Sequence, residues 1–259
     1  MNRLSRWADL RPRILSAVVM LAIGFFAIWA GGMVFNVVIA AVCGGILWEL
    51  SGMLWQGQSI RSLKFGLLGA VSLIVASITP IWLAICVLAL PTVVGLREAK
   101  GDTQKKFLIF SIWIMCAALG FVFLRNSYGT DVLLWLVSVV IATDVVGYFA
   151  GKIIGGPKFW PRISPKKTWS GTASGWIAAV GVGMAFAAPL NMGGTLVLLS
   201  IVISMASQAG DVAESALKRQ TGVKDSSDII PGHGGLFDRF DGMLGASAVF
   251  LLIAALWGL

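Results

Sequence analysis

QAGDVAESALKRQTGVKDSSDIIPGHGGLFDRFDG, residues Gln208–Gly242, is a polar island between two long apolar runs. It gathers Asp211, Glu214, Asp225, Asp228, Asp238 and Asp241, half of the chain's twelve acidic residues, with its one histidine, His233. If Gly210–Gln220 is helical, Asp211, Glu214, Ser215 and Lys218 recur at i, i+3, i+4 and i+7 and share a face. Asp238 and Asp241 are again three apart, where the next apolar run begins. Gly232, Gly234 and Gly235 permit a tight turn that could bring the two acidic pairs together. Carboxylates converging from two helix ends, with lysine and arginine beside them, suit a divalent metal and phosphate better than a packed core.

The rest of the chain sets the class. Of 259 residues, 58% are apolar and only 12% charged, and the mean hydropathy is +0.88. A soluble domain carries about 25% charged residues, so the expected fold is an all-α polytopic integral membrane protein. Cys43, Cys86 and Cys116 lie inside apolar runs and read as small buried hydrophobes. Nine spans are expected, at about 14–30, 33–54, 63–79, 81–96, 107–124, 132–150, 171–190, 195–210 and 243–259. The first follows Arg3, Arg6, Arg11 and Arg13 and reads as an uncleaved helix, since no clear small-x-small cleavage site follows it. The chain reads as one integral membrane domain, 1–259, with a helical half at 1–130 and a motif-bearing half at 131–259.

Charge supplies a check on this topology. With a cytoplasmic N-terminus, nineteen of the twenty Lys and Arg residues fall in inward-facing segments, and only Arg125 falls outside. The positive-inside rule predicts that asymmetry. It also accounts for the net charge of +8 without nucleic acid.

Two inward segments are richer than connectors need to be. In Gly151–Gly171, GKIIGGPKFWPRISPKKTWSG, Gly155-Gly156-Pro157 makes a turn and Pro161 and Pro165 favour an extended chain. Ser164-Pro165-Lys166-Lys167-Thr168 then enters a helix capped by Thr168 or Ser170, and lysines at a helix N-terminus can cradle phosphate. The plainer role is a basic loop on anionic headgroups. The other segment is Gln208–Gly242, where the thin apolar face of Val212, Ala213, Ala216 and Leu217 argues against a surface anchor. His233, set between glycines, reads as a phosphate donor or a residue that orients the site.

Two acids lie within spans, where charge costs about 2.5–3.5 kcal/mol on insertion scales. Asp144 shares a face with Gly147, Tyr148 and Gly151 near the inner end of the sixth span and reads as functional. Glu49, beside Trp48 and Trp55, reads equally as a snorkelling interfacial residue or a functional one.

At these positions the sequence resembles the phosphatidate cytidylyltransferase (CDP-diacylglycerol synthase) family. The family signature has the form S-x-x-K-R, four residues, K-D, then a turn into H-G-G-x-x-D-R-x-D. It stands here as Ser215, Lys218-Arg219, Lys224-Asp225, His233-Gly234-Gly235, Asp238-Arg239 and Asp241. Gln208, Gly210, Asp211 and Glu214 resemble the family's approach to it, and Asp144, Tyr148, Gly151 and Ser164–Thr168 resemble its other polar segments. Over residues 1–130 the likeness is only a general pattern of spans.

The resemblance implies transfer of a cytidylyl group from CTP to phosphatidate, giving CDP-diacylglycerol and pyrophosphate. Bringing two polyanions together calls for metal ions and basic side chains, not a strong general base. It implies Asp211, Asp238 and Asp241 as magnesium ligands, and a second cation is compatible with them. Three such carboxylates close together would repel one another unless a cation lay between them. Lys166, Lys167, Lys218 and Arg239 would hold phosphates, and Asp144, Ser164, Thr168, Ser215, Arg219 and Lys224 would line the substrates. His233, Gly234 and Gly235 would shape the nucleotide pocket. The implied setting is the bacterial inner membrane, with N-terminus and site cytoplasmic, membrane lipid around the chain, and a homodimer as a candidate assembly.

Three rival activities share some of these ingredients. A CDP-alcohol phosphotransferase needs further spaced aspartates after D-G-x-x-A-R, and Asp241-Gly242 leads only into an apolar run. A CTP-dependent lipid kinase shares the substrates. A transporter of an anionic substrate would use its buried acids for coupling, but here the polar groups cluster at one membrane face. Pyrophosphate exchange into CTP separates a cytidylyltransferase from both.

Overall fold

The structure, a computed structural model, describes residues 3–56 and 59–257, with side chains from residue 12 onward. The side chains of Arg3, Arg6 and Arg11 therefore lie outside the described residues. Among those described, the chain forms nine α-helices. They are α1 (Arg3–Ala30), α2 (Gly32–Trp55), α3 (Ser59–Ile78), α4 (Ile81–Glu98), α5 (Gly101–Phe123), α6 (Gly129–Ile153), α7 (Trp169–Ala187), α8 (Gly193–Thr221) and α9 (Phe237–Trp257). Pro80 stands at the N-cap of α4 and divides the apolar stretch 63–96 where the sequence suggested.

Eight helical stretches among the described residues are long and apolar enough to cross a membrane, against nine expected. The difference lies at Gly101–Ile153, a single stretch of 53 residues holding both the fifth and sixth expected spans. A π-turn at Leu124–Tyr128 and Gly129 at φ 84 join α5 to α6 with no loop between them. At about 1.5 Å of rise per residue, 53 residues amount to ~80 Å of helix along the chain, more than the ~30 Å that one hydrocarbon core needs.

Past the expected end of the eighth span near Gly210, α8 continues unbroken to Thr221, 29 residues in all, and carries the Asp211–Lys218 face on its last turns, as the spacing of those residues requires. The proline-rich loop is not merely extended: β1 (Lys158–Trp160) and β2 (Ser164–Thr168) pair as an antiparallel hairpin. Of the cysteines, Cys43 is buried but Cys86 and Cys116 are exposed, on apolar helices whose outer surfaces suit lipid.

The chain folds as two compact units, Met1–Ala118 with Thr221–Phe240, and Leu119–Gln220 with Asp241–Leu259. In the first, α2 and α3 pack so closely that a Cβ on Gly66 would lie 3.0 Å from the Gly44 carbonyl oxygen. Trp55, Phe65 and Phe107 cluster with centroids 4.8–5.4 Å apart, and the Thr92 and Ser111 hydroxyls join α4 to α5 at 2.9 Å. In the second, buried polar pairs tie helices together where lipid offers no hydrophobic drive. Trp135 donates to Ser200 and Thr143 to Ser204, both at 2.8 Å, linking α6 to α8.

Candidate active site

Unit two assembles an acidic site from three helices and the hairpin. The packing that does so needs residues without side chains. A Cβ on Gly210 of α8 would collide with the Asp241 carbonyl oxygen of α9. This backbone crossing brings Asp211 beside Asp241. On the other side, a Cβ on Gly147 would sit 3.0 Å from the Gly171 carbonyl oxygen, so α6 and α7 also meet backbone to backbone. Gln208 locks α8 against α7, accepting from Trp176 Nε1 at 2.9 Å and donating to the Thr172 carbonyl at 3.1 Å.

Asp144, Asp211 and Asp241 thereby lie within electrostatic reach of one another and of Lys167. Lys167 Nζ is 2.6 Å from Asp211 Oδ2, and Ser215 Oγ donates to Asp211 Oδ1 at 3.3 Å. Asp241 Oδ1 accepts the Gly242 N–H at 2.7 Å. Thr168, rather than Ser170, accepts the Gly171 N–H at 3.2 Å and caps α7, which fixes the end of the lysine-bearing strand. Ser164 is half-buried at the start of that strand, and Lys166 is exposed. Three carboxylates near one lysine leave an excess of negative charge and hard oxygen donors, which fits a divalent cation. Among the described residues, however, no three His, Cys, Asp or Glu side chains are grouped so that they alone could hold a metal ion. Lys218, expected on phosphate, is buried and pairs with the buried Glu214 at 2.8 Å, while Arg219 is exposed.

Unit one holds the glycine-rich turn. His233 Nδ1 lies 2.7 Å from Ser16 Oγ of α1. Arg239 donates from Nε and Nη2 to the His233 carbonyl at 3.0 and 2.6 Å, closing the turn that precedes it. Gly234 adopts φ 83, a left-handed backbone that glycine takes without strain. Asp238 Oδ2 accepts from the Ser226 and Gly235 N–H groups at 2.9 and 2.8 Å. Lys224 is exposed in the preceding loop. Glu49 is not a snorkelling residue. Its relative exposure is 1%, and four groups of this loop surround its carboxylate. Ser16, Ser226 and Ser227 were not singled out from the sequence, because isolated serines carry no spacing signal and their partners are distant in the chain.

The profile of the cytidylyltransferase family matches residues 11–257. The chain is similar to a phosphatidate cytidylyltransferase of Brucella abortus (strain 9-941), at 33% identity over 96% of this chain and 95% of the relative. It is also similar to proteins of that name from Bacillus subtilis (strain 168) and Staphylococcus aureus (strain COL), each at 30% identity. These alignments cover 96% and 91% of this chain, and 99% and 95% of the two relatives.

Proposed function

The chain belongs to the cytidylyltransferase family, and on that premise we propose that it transfers the cytidylyl group of CTP to phosphatidate, forming CDP-diacylglycerol and pyrophosphate. The observation that carries this reading is the meeting of Lys167 with Asp144, Asp211 and Asp241 in one unit. A phosphate-binding cation and a metal-binding anion set are what a nucleotidyl transfer needs side by side.

An oxygen of the phosphatidate phosphate attacks the α-phosphorus of CTP, and the bond from that phosphorus to the β-bridging oxygen breaks. The nucleophile is already anionic, so no side chain need remove a proton. Asp211 and Asp241 would hold magnesium, and the resemblance adds Asp238 as a further ligand. When bound, the ion supplies neutralisation of the polyphosphate charge. Lys167 and Lys166 stand on the hairpin to bind phosphate oxygens, with Lys167 released from Asp211 as a substrate phosphate replaces that partner. Asp144, exposed on α6, bounds the same acidic region. The α6–α7 and α8–α9 backbone crossings hold these groups in place before substrate arrives, so little reorganisation is left for the reaction itself. The eight apolar stretches put the protein in a membrane, where phosphatidate is found. A bacterial inner membrane and a cytoplasmic site complete the proposal, supported by the charge asymmetry of the loops.

The test uses purified protein in phosphatidate-containing micelles with labelled CTP and magnesium. Lipid-soluble label and exchange of labelled pyrophosphate into CTP are expected. Transfer of the γ-phosphate to lipid, without exchange, would overturn the reading.

A further inference from the structure

The most buried acid of unit one has no part in the chemistry above. Glu49 lies on α2, some 180 residues before the loop that surrounds it, and its relative exposure is 1%. Oε1 accepts from Ser227 Oγ at 2.6 Å and from the Leu236 N–H at 2.8 Å. Oε2 accepts from the Phe237 N–H at 2.7 Å and lies 3.0 Å from Ser226 Oγ. The same Ser226 hydroxyl is 2.9 Å from Asp238 Oδ2, so its single proton serves one carboxylate at a time.

Leu236 and Phe237 open α9, and their N–H groups are among those a helix cannot satisfy internally. An acid from another helix thus occupies the position of an N-terminal cap, where negative charge is favoured. The turn is shaped around it: a Cβ on Gly235 would collide with both Glu49 Oε1 and Ser226 Oγ. That close approach explains why glycine is needed at the third position of His233-Gly234-Gly235.

We propose that Glu49 is the positioning residue of the signature loop, holding Ser226–Phe237 and the first turn of α9 so that Asp238 and Arg239 are presented in a fixed geometry. Glu49 itself touches no substrate. The role goes beyond the proposed transfer reaction and rests on it only for the activity readout. Glutamine cannot replace the acid. Its amide nitrogen, placed at either oxygen's position, would point a donor at the N–H of Leu236 or of Phe237, and one backbone donor would lose its acceptor.

The full chain, purified in detergent, is compared as wild type, Glu49→Gln, Ser227→Ala and the double variant, with Glu98→Gln as a surface control on α4. Hydrogen exchange at residues 226–240 and CDP-diacylglycerol formation are read together. Glu49→Gln is expected to speed exchange at the Leu236 and Phe237 amides by at least ~10-fold and to lower kcat by about as much. Exchange elsewhere in α2 and α3 should stay unchanged. The double variant should be no worse than the more damaging single change, because both act through one contact. Unchanged exchange at 226–240 would overturn the proposal, and so would lost activity with unchanged exchange, which would mean direct substrate contact. Should Glu49→Gln fail to fold, Ser227→Ala alone must still loosen 226–237, or the proposal falls. If wild type makes no CDP-diacylglycerol, the proposed reaction fails, while the exchange data still judge Glu49.

Discussion

The sequence offered two acidic pairs, Asp211 with Glu214 and Asp238 with Asp241, and unit two brings one member of each, Asp211 and Asp241, together with Asp144 and Lys167. Asparagine at either keeps the shape and removes a charge. Each change is expected to cost at least ~100-fold in activity and to raise the magnesium requirement, with little change in detergent stability. A magnesium titration of each variant checks this, and wild-type rates in both would move the metal elsewhere. Asp238 calls for a separate reading, because its Oδ2 also holds the Ser226 and Gly235 N–H groups. Asparagine retains an oxygen for those donors, so Asp238→Asn should report mainly the lost charge. A loss of ~100-fold or more with a raised magnesium requirement is expected there too, and an unshifted requirement would leave only the loop-holding role. Lys167→Ala removes the cation that lies 2.6 Å from Asp211 Oδ2. It should raise the KM for CTP or phosphatidate by about 10-fold, and unchanged kinetics would return the hairpin to a topology-setting loop. The sequence marked Glu49 but left its role between two readings, since its donors lie far along the chain and only folding juxtaposes them.

Among the elements, the helices were readable because each is an apolar run, and their ends were less so. No residue near Gly210 breaks a helix: Gln208, Ala209, Val212 and Ala213 all tolerate one, and the change from lipid to polar surroundings does not interrupt backbone hydrogen bonding. The join at Leu124–Tyr128 was hidden for the same reason, since the Arg125-Asn126-Ser127 polarity marked a loop while the backbone stays coiled. The hairpin was hidden by Pro161 and Pro165, which argue against a sheet interior but are tolerated in a two-stranded edge pair. The crossing glycines give this scale its prediction. Gly210→Val would drive a branched side chain into the Asp241 carbonyl oxygen, and backbone cannot yield as a flexible side chain can. Overpacking of this kind costs about 1–3 kcal/mol. The variant should melt at lower temperature in detergent and lose activity out of proportion, because Asp211 and Asp241 move apart. Thr168→Ala, which removes the cap of α7 and a hydroxyl contact to Ser170, should cost about 1 kcal/mol. A Gly210→Val protein with wild-type melting and rate would show that the α8–α9 crossing does not set the site.

Over the whole molecule, the open quantity is how many times the chain crosses the membrane, and loop charge decides it more firmly than helix count. Eight apolar stretches would place both termini on one side if each crossed once. Gly101–Ile153 would then be a single crossing, and every later segment would reverse its side. The basic residues of the Lys158–Lys167 hairpin and of Lys218–Arg239 would face outward, with Lys152, in all nine of the twenty. That distribution opposes the positive-inside rule. Two crossings within the 53 residues restore it, leaving only Arg125 on the outer side. They also match the length, since ~80 Å of helix exceeds one hydrocarbon core but accommodates two passes with a turn between. The turn has its place in the π-helical segment Leu124–Tyr128 and in Gly129, whose φ of 84 departs from the helical path. On that charge argument nine crossings are expected, with a cytoplasmic N-terminus and a C-terminus on the opposite face. A reporter active only outside the cytoplasm, fused after Leu259, should therefore work. One fused within Gly155–Pro157 should not, and a cysteine placed at Asn126 should react with an impermeant thiol reagent added from outside. A cytoplasmic signal at Leu259 together with an unreactive Asn126 site would mean one crossing in Gly101–Ile153, and the hairpin lysines would then lie on the side away from cytoplasmic CTP.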